Sequence, residues 1–208
     1  MPEEKIDFSK FKNGDLIFVA DTSAFSSAVI GSTNGNFSHV GIIQRVADSL
    51  YVIEATSKHG VRKLPIKDFI GEVPIERLGT AAIKVLRLNK LPEGIFSQSD
   101  ETTLSDSVQI IANLAVERAL SFLGKDYDYS FEKGTEKLYC SELVYESFIF
   151  NGEHLFSLIP MNFKDSTGEI STYWRGYYKK MGKEVPQNEP GSNPNSIAAS
   201  PLLEIIAF

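Results

Sequence analysis

Three residues of this chain have the types needed for nucleophilic acyl chemistry: the single cysteine, Cys140, and the pair His39 and Glu54. In such chemistry a thiolate attacks a carbonyl carbon, an imidazole takes up the thiol proton, and a carboxylate orients the imidazole and sets its tautomer. Cys140 opens the run Cys-Ser-Glu-Leu-Val-Tyr-Glu-Ser-Phe, in which Leu143, Val144 and Phe148 recur at three- and four-residue spacing. That spacing predicts an amphipathic helix with the cysteine in its first turn. Ser141 and Glu142 make the first turn polar and acidic, and Asn151-Gly152 offers a stop. A thiol at a helix N-terminus meets the positive end of the dipole, which can lower a cysteine pKa from about 8.5 into the range of roughly 3.5–7.5. The other reading is a packing cysteine, since free cysteines are among the most buried residues. Helix position alone does not separate the two.

His39 and Glu54 lie on the two arms of the best hairpin in the chain, 38–46 and 50–56, joined through Ala47-Asp48-Ser49. An even-residue connection puts both side chains on one face, opposite each other or one diagonal apart; an odd connection or a bulge separates them. Gly41 shares His39's face, and a missing side chain there marks a close approach, expected to be that of the Cys140 helix. The residues leave two readings open: a working pair, or a satisfied strand histidine beside a solvated glutamate. Glu54 stands between Ile53 and Ala55, a setting in which a carboxylate usually has a partner. His59, in the turn Lys58-His59-Gly60, and His154, after Asn151-Gly152-Glu153, are weaker candidates, because a base needs a rigid frame.

The elements around these residues follow in order. Asn13-Gly14-Asp15 is a turn before the strand 16–20. Residues 21–23 cap a short helix through Ile30, and 31–36 read as a loop. After the hairpin comes a segment at 61–66, which Pro65 demotes to an edge or a strand end. A further strand is expected at 82–88. Residues 91–104 read as a linker. A strongly periodic helix begins at Ser105 or Asp106 and ends at Gly124. The Cys140 helix follows a loop with Tyr127, Tyr129 and Phe131. Residues 151–208 read as a C-terminal extension packed on the domain, ending in the apolar tail Pro-Leu-Leu-Glu-Ile-Ile-Ala-Phe. Strands first and helices later make an α+β class with antiparallel pairing, in one domain of 208 residues.

Composition narrows the function. Lys and Arg number 21 against 27 Asp and Glu, a net charge of −6, which argues against a nucleic-acid partner. No apolar run has the length of a membrane span. One cysteine excludes an internal disulfide framework and any cysteine-rich metal site, and the three histidines show no paired ligand spacing. No h-region is visible near Met1, so the expected location is cytoplasmic for a complete sequence, and exported or periplasmic for a trimmed one.

Four short motifs resemble those of the NlpC-type cell-wall peptidases, a papain-like superfamily. They are Gly-Asp-Leu-Ile-Phe at 14–18, Ser-His-Val-Gly-Ile at 38–42, Val-Ile-Glu-Ala at 52–55 and Cys-Ser-Glu-Leu-Val at 140–144. The cysteine helix stands last, behind the strands. That order is similar to the circularly permuted branch, and most of all to its YiiX-like members; the lecithin:retinol acyltransferase family shares the permutation at a greater distance. The resemblance covers about residues 13–150, with a similar tail. It implies a permuted papain-like fold, a small antiparallel sheet or barrel followed by the cysteine helix. It further implies Cys140 as nucleophile, His39 as base, Glu54 as orienting residue and no metal or organic cofactor. Leu123 to Tyr127 resembles the Gly-x-x-Tyr before the cysteine helix, so Tyr127 is expected at the substrate or the oxyanion, or else packed in the core. The expected substrate is a small peptide, amide or acyl compound. Lipid or thioester acyl chemistry, with Phe37, Tyr127 and Phe131 lining a groove, and a non-catalytic binding module are the alternatives.

Overall fold

The apolar runs of the first half pair into one antiparallel sheet, and a final strand from the chain's end joins its edge. The computed structural model describes residues 6–74, 82–92, 101–134 and 136–206. In chain order the strands are β1 (Leu16–Val19), β2 (His39–Val46), β3 (Ser49–Thr56), β4 (Gly60–Pro65) and β5 (Ile83–Leu88). They continue with β6 (Ile149–Phe150), β7 (Glu153–His154), β8 (Ile159–Met161), β9 (Glu189–Gly191) and β10 (Leu203–Ile206). The helices are α1 (Ala24–Thr33), α2 (Ile66–Gly71), α3 (Glu101–Ser121), α4 (Cys140–Ser147), α5 (Thr172–Lys180) and α6 (Pro194–Ala198). The main sheet has the order β10-β5-β1-β2-β3-β4, and β4, which carries Pro65, is an edge strand.

Alternation along the strands divides the core in two. Leu16, Phe18, Val40, Ile42, Ile53, Ala55 and Leu86 face α4 and α3, against Leu143, Val144, Phe148, Ile111 and Ala115. Ile17, Val19, Ile43, Val52 and Val85 face the other way, against Phe69 of α2. Burial on both faces makes these strands read as nearly continuous apolar runs.

Several segments differ from what the sequence led one to expect. The 31–36 loop is partly helix: α1 continues through Thr33 and stops on Asn34, whose φ of 49° is the left-handed conformation asparagine tolerates. The linker at 91–104 falls mostly outside the described residues, and from Glu101 the chain is already helical. Polar residues there carried no period to reveal it. Asn151-Gly152 does not end α4, which stops at Ser147; it makes the turn between β6 and β7. The apolar tail, for which no strand was expected, forms β10, paired with β5 in the register Leu203↔Leu88.

Candidate active site

The hairpin determines what His39 and Glu54 can do. Val46 pairs with Ser49, so only Ala47 and Asp48 form the loop, and Ala47 takes the left-handed conformation at φ 50°. An even loop keeps His39 and Glu54 on one face, one diagonal apart. His39 Nε2 and Glu54 Oε2 lie 2.5 Å from each other. The other carboxylate oxygen, Oε1, accepts from Arg62 Nε at 2.7 Å, and Arg62 Nη2 donates to Glu72 Oε2 at 2.7 Å. Arg62 is directly opposite Glu54 on β4. The sequence reading missed it, although the arginine alternates to Glu54's face of the neighbouring strand. Gly41 does not make room for the Cys140 helix, as had been expected. A Cβ there would stand 2.5 Å from Val52 Cγ1 and 3.6 Å from Glu54 Cβ. Its face of the sheet is the one turned to α2, and the space belongs to β3.

Cys140 is the first residue of α4 and is 6% exposed. Its N-cap, Tyr139, makes no side-chain cap bond. The Glu142 carboxylate, three residues on, instead accepts from the Tyr139 and Gly134 backbone amides, which is half of a capping box. His39 is the first residue of β2, where the sheet ends, close enough to the Cys140 sulfur for the sulfur to favour the charged imidazole. Burial opposes a charge on His39, but Cys140 and Glu54 outweigh it and push the imidazole up to about 10. Burial alone would raise Glu54, yet His39 and Arg62 hold it below the usual carboxylate value.

Glu142 behaves in the opposite way. Burial first, then the Asp128 carboxylate, pushes it up to about 8, and its Oε2 has no hydrogen-bond partner among the described residues. Both groups hold a proton more tightly in the folded chain than in the unfolded one. His39's stabilisation is complete below about 6.5 and is lost as pH rises through about 10. Glu142 withdraws stability as pH climbs from about 4.5 to about 8. The thermal midpoint is therefore expected to fall steadily from acid-neutral to alkaline pH. Glu142→Gln should flatten the lower part of that fall and His39→Gln the upper part, read by melting scans across pH. Parallel curves for all three proteins would contradict the assignment.

Tyr127 is 6% exposed, and burial, then the neighbouring sulfur, holds its phenol well above the ordinary value, so it stays an O–H donor. The backbone before it docks on β4: Gly124 N donates to Val61 O at 2.9 Å and Val61 N to Lys125 O at 2.8 Å. Two cavities meet at this residue. One, of about 180 Å³, is lined by Cys140 and Ser141 and by apolar side chains that include Phe25, Val29, Phe131, Phe163 and Trp174. The other, of about 190 Å³, is polar and holds His39, Glu54, Asp21, Ser57 and Glu72. Phe25, Ser38 and Tyr127 border both. Trp174 of α5 is aimed at α1, with Nε1 donating to Ser32 Oγ at 2.7 Å. Phe131 does line the apolar cavity; Phe37 does not, and packs on Phe18 in the core instead. His59 is exposed in the β3–β4 turn, and His154 stacks on Tyr145 beside Glu146, both apart from Cys140.

Known proteins share this architecture. A family model described as a permuted papain-like amidase enzyme, YaeF/YiiX, C92 family, matches residues 10–207. The uncharacterized protein YiiX of Escherichia coli K12 is 26% identical over 196 residues, which are 94% of this chain and 86% of YiiX. The crystal structure of metalloprotein yiiX from Escherichia coli O157:H7 superposes with a TM-score of 0.70 at 25% identity, covering 95% of this chain and 97% of that one.

Proposed function

Since the chain belongs to the permuted papain-like amidase family of YaeF and YiiX, we propose that it is a cysteine hydrolase that cleaves an amide bond through Cys140, His39 and Glu54. The observation that carries this reading is the hydrogen-bonded line His39–Glu54–Arg62, with the Cys140 sulfur beside the imidazole. His39 takes up the thiol proton, and the Cys140 sulfur attacks the amide carbonyl carbon. The first-turn amides of α4, which have no carbonyl partner within the helix, and the Tyr127 hydroxyl face the developing oxyanion. His39 then gives its proton to the leaving amine as the C–N bond breaks. Water, deprotonated by the same imidazole, attacks the thioester, and the acid leaves as the thiol re-forms. Glu54 keeps the ring in place throughout.

The related yiiX structure is titled a metalloprotein. A tetrahedral zinc site takes four ligands, or three and a water. Among the described residues, no group of three or more His, Cys, Asp or Glu side chains is placed to hold a metal, and His39 Nε2 is already engaged by Glu54. The donor set does not fit, and no step passes through a metal.

The bond attacked belongs to a peptidoglycan-type peptide or another small amide. The apolar cavity at Cys140 favours a second reading, in which the acyl group is itself apolar and the scissile bond is that of an acyl lipid or thioester. Its volume, about 180 Å³, compares with the ~150 Å³ cavity that holds benzene in an engineered protein. Each methylene buried there contributes about 0.8 kcal/mol, roughly fourfold in kcat/KM, up to about six carbons. Incubation with muropeptides and with N-acyl and thioester series, followed by mass spectrometry, tests both readings. Release from muropeptides with no dependence on acyl length supports the first; a rise with acyl length supports the second. No mass change in any substrate would count against hydrolysis.

A further inference from the structure

The C-terminal segment from Gly191 to Asn195 touches both ends of the candidate catalytic pair. On the nucleophile's side, Ser192 N donates to Tyr139 Oη at 3.1 Å, and Ser141 Oγ donates to Ser192 O at 3.1 Å. Tyr139 and Ser141 are the two residues that flank Cys140. On the base's side, the Asn195 side chain makes four hydrogen bonds to the segment that leads into β2. Its Oδ1 accepts from Asn36 N and Phe37 N, both at 3.0 Å. Its Nδ2 donates to Phe37 O at 2.8 Å and Thr33 Oγ1 at 2.7 Å. Ser38 and His39 follow directly. The four bonds exhaust the hydrogen-bonding capacity of the amide, so Asn195 holds one orientation.

Two more features make this a built contact. Asn193 caps α6 through a capping box with Ser196, with Pro194 opening the helix, so Asn195 stands on a short but rigid element. Gly35 leaves the space the amide occupies: a Cβ there would lie 2.1 Å from Asn195 Cγ. Any side chain at Gly35 therefore displaces Asn195.

We propose that residues 191–195 form a brace between the start of the nucleophile's helix and the start of the base's strand, with Asn195 as a positioning residue that sets the Cys140–His39 spacing. The inference rests on the reading of those two residues as a working pair. All four hydrogen bonds of Asn195 go to residues 33–37 and none to Cys140 or His39, so Asn195 acts only through geometry. A displacement of about 1 Å in such a pair can cost around 100-fold in rate.

The test is the rate of Cys140 alkylation by iodoacetamide across pH on the full chain, since the only cysteine reports directly and no substrate is needed. His39→Ala is the reference, expected to slow labelling at neutral pH by about 100-fold. Asn195→Ala and Gly35→Ala are each expected to slow it about tenfold and to move the half-maximal rate to higher pH, with near-ultraviolet circular dichroism unchanged. Asn195→Asp, which keeps the acceptor for Asn36 and Phe37, should recover part of the loss. Tyr139→Phe loosens the other end, and because a brace fails when either end is cut, Tyr139→Phe/Asn195→Ala should be no slower than the slower single variant. Wild-type labelling in folded Asn195→Ala and Gly35→Ala, or additive losses in the double variant, would overturn the brace while leaving the pair intact. Wild-type labelling in His39→Ala would overturn the pair itself, and the brace with it.

Discussion

Cys140→Ala is expected to lower kcat by at least about 10⁴-fold with the fold preserved, the largest effect of any single change in this chain. The nucleophile has no thiol substitute, because Cys140 is the only cysteine. The structural cost is small. Alanine keeps the Cβ, and the lost sulfur borders a cavity that tolerates the change, so the stability loss should be about 1 kcal/mol. Initial rates at saturating substrate, beside a urea melt, make the measurement. Residual turnover above a hundredth of wild type in a purified variant would remove Cys140 from the chemistry.

Glu54→Ala should show the reverse balance: a smaller loss of activity and a larger loss of stability. Glu54 is 2% exposed and joins two cationic partners, His39 and Arg62. Its removal leaves His39 without its carboxylate in a largely closed setting, while Arg62 keeps only the exposed Glu72. Loss of one member of a buried ion pair costs about 3 kcal/mol or more, and the partial exposure of Arg62 puts the expectation at the low end. In turnover the imidazole loses orientation but remains beside the sulfur, so a fall of about 10²-fold is expected, well short of that for Cys140→Ala. Glu54→Gln preserves the shape and one hydrogen bond and should recover more stability than activity. A pair of denaturation curves and kcat values decides the matter. Equal kcat losses in Glu54→Ala and Cys140→Ala, both folded, would refute the division between nucleophile and orienting residue.

The two predictions draw on different sources. The Cys140 helix was readable in the sequence because its signal is local: apolar positions repeat at the helical period within eight residues. The hairpin was readable for the same reason, but the turn read at 47–49 left open whether His39 and Glu54 share a face, and only the pairing Val46↔Ser49 put them there. The permuted order of the motifs was visible in the linear chain as well. Arg62 was within reach, since it alternates on the adjacent strand, but only the register Glu54↔Arg62 makes it the carboxylate's second partner. The expected role of Gly41 failed because a bare strand position announces a close approach without naming the neighbour.

The sequence by itself thus determined the reactive residue types, their elements and the permuted family pattern, all encoded in spacings of two, three and four residues. What only the tertiary structure decided lies across long separations. The apolar cavity is assembled from α1, the 127–141 segment, β8 and α5. The closing strand β10 pairs with β5 across the whole helical half. Asn195 reaches Asn36 and Phe37 over 159 and 158 residues. No period or cap marks such contacts in advance, because a side chain's long-range hydrogen bonds depend on the packing that delivers it. The residues for the chemistry can be read along the chain; the distances between them exist only once the sheet, the helices and the C-terminal segment close on one another.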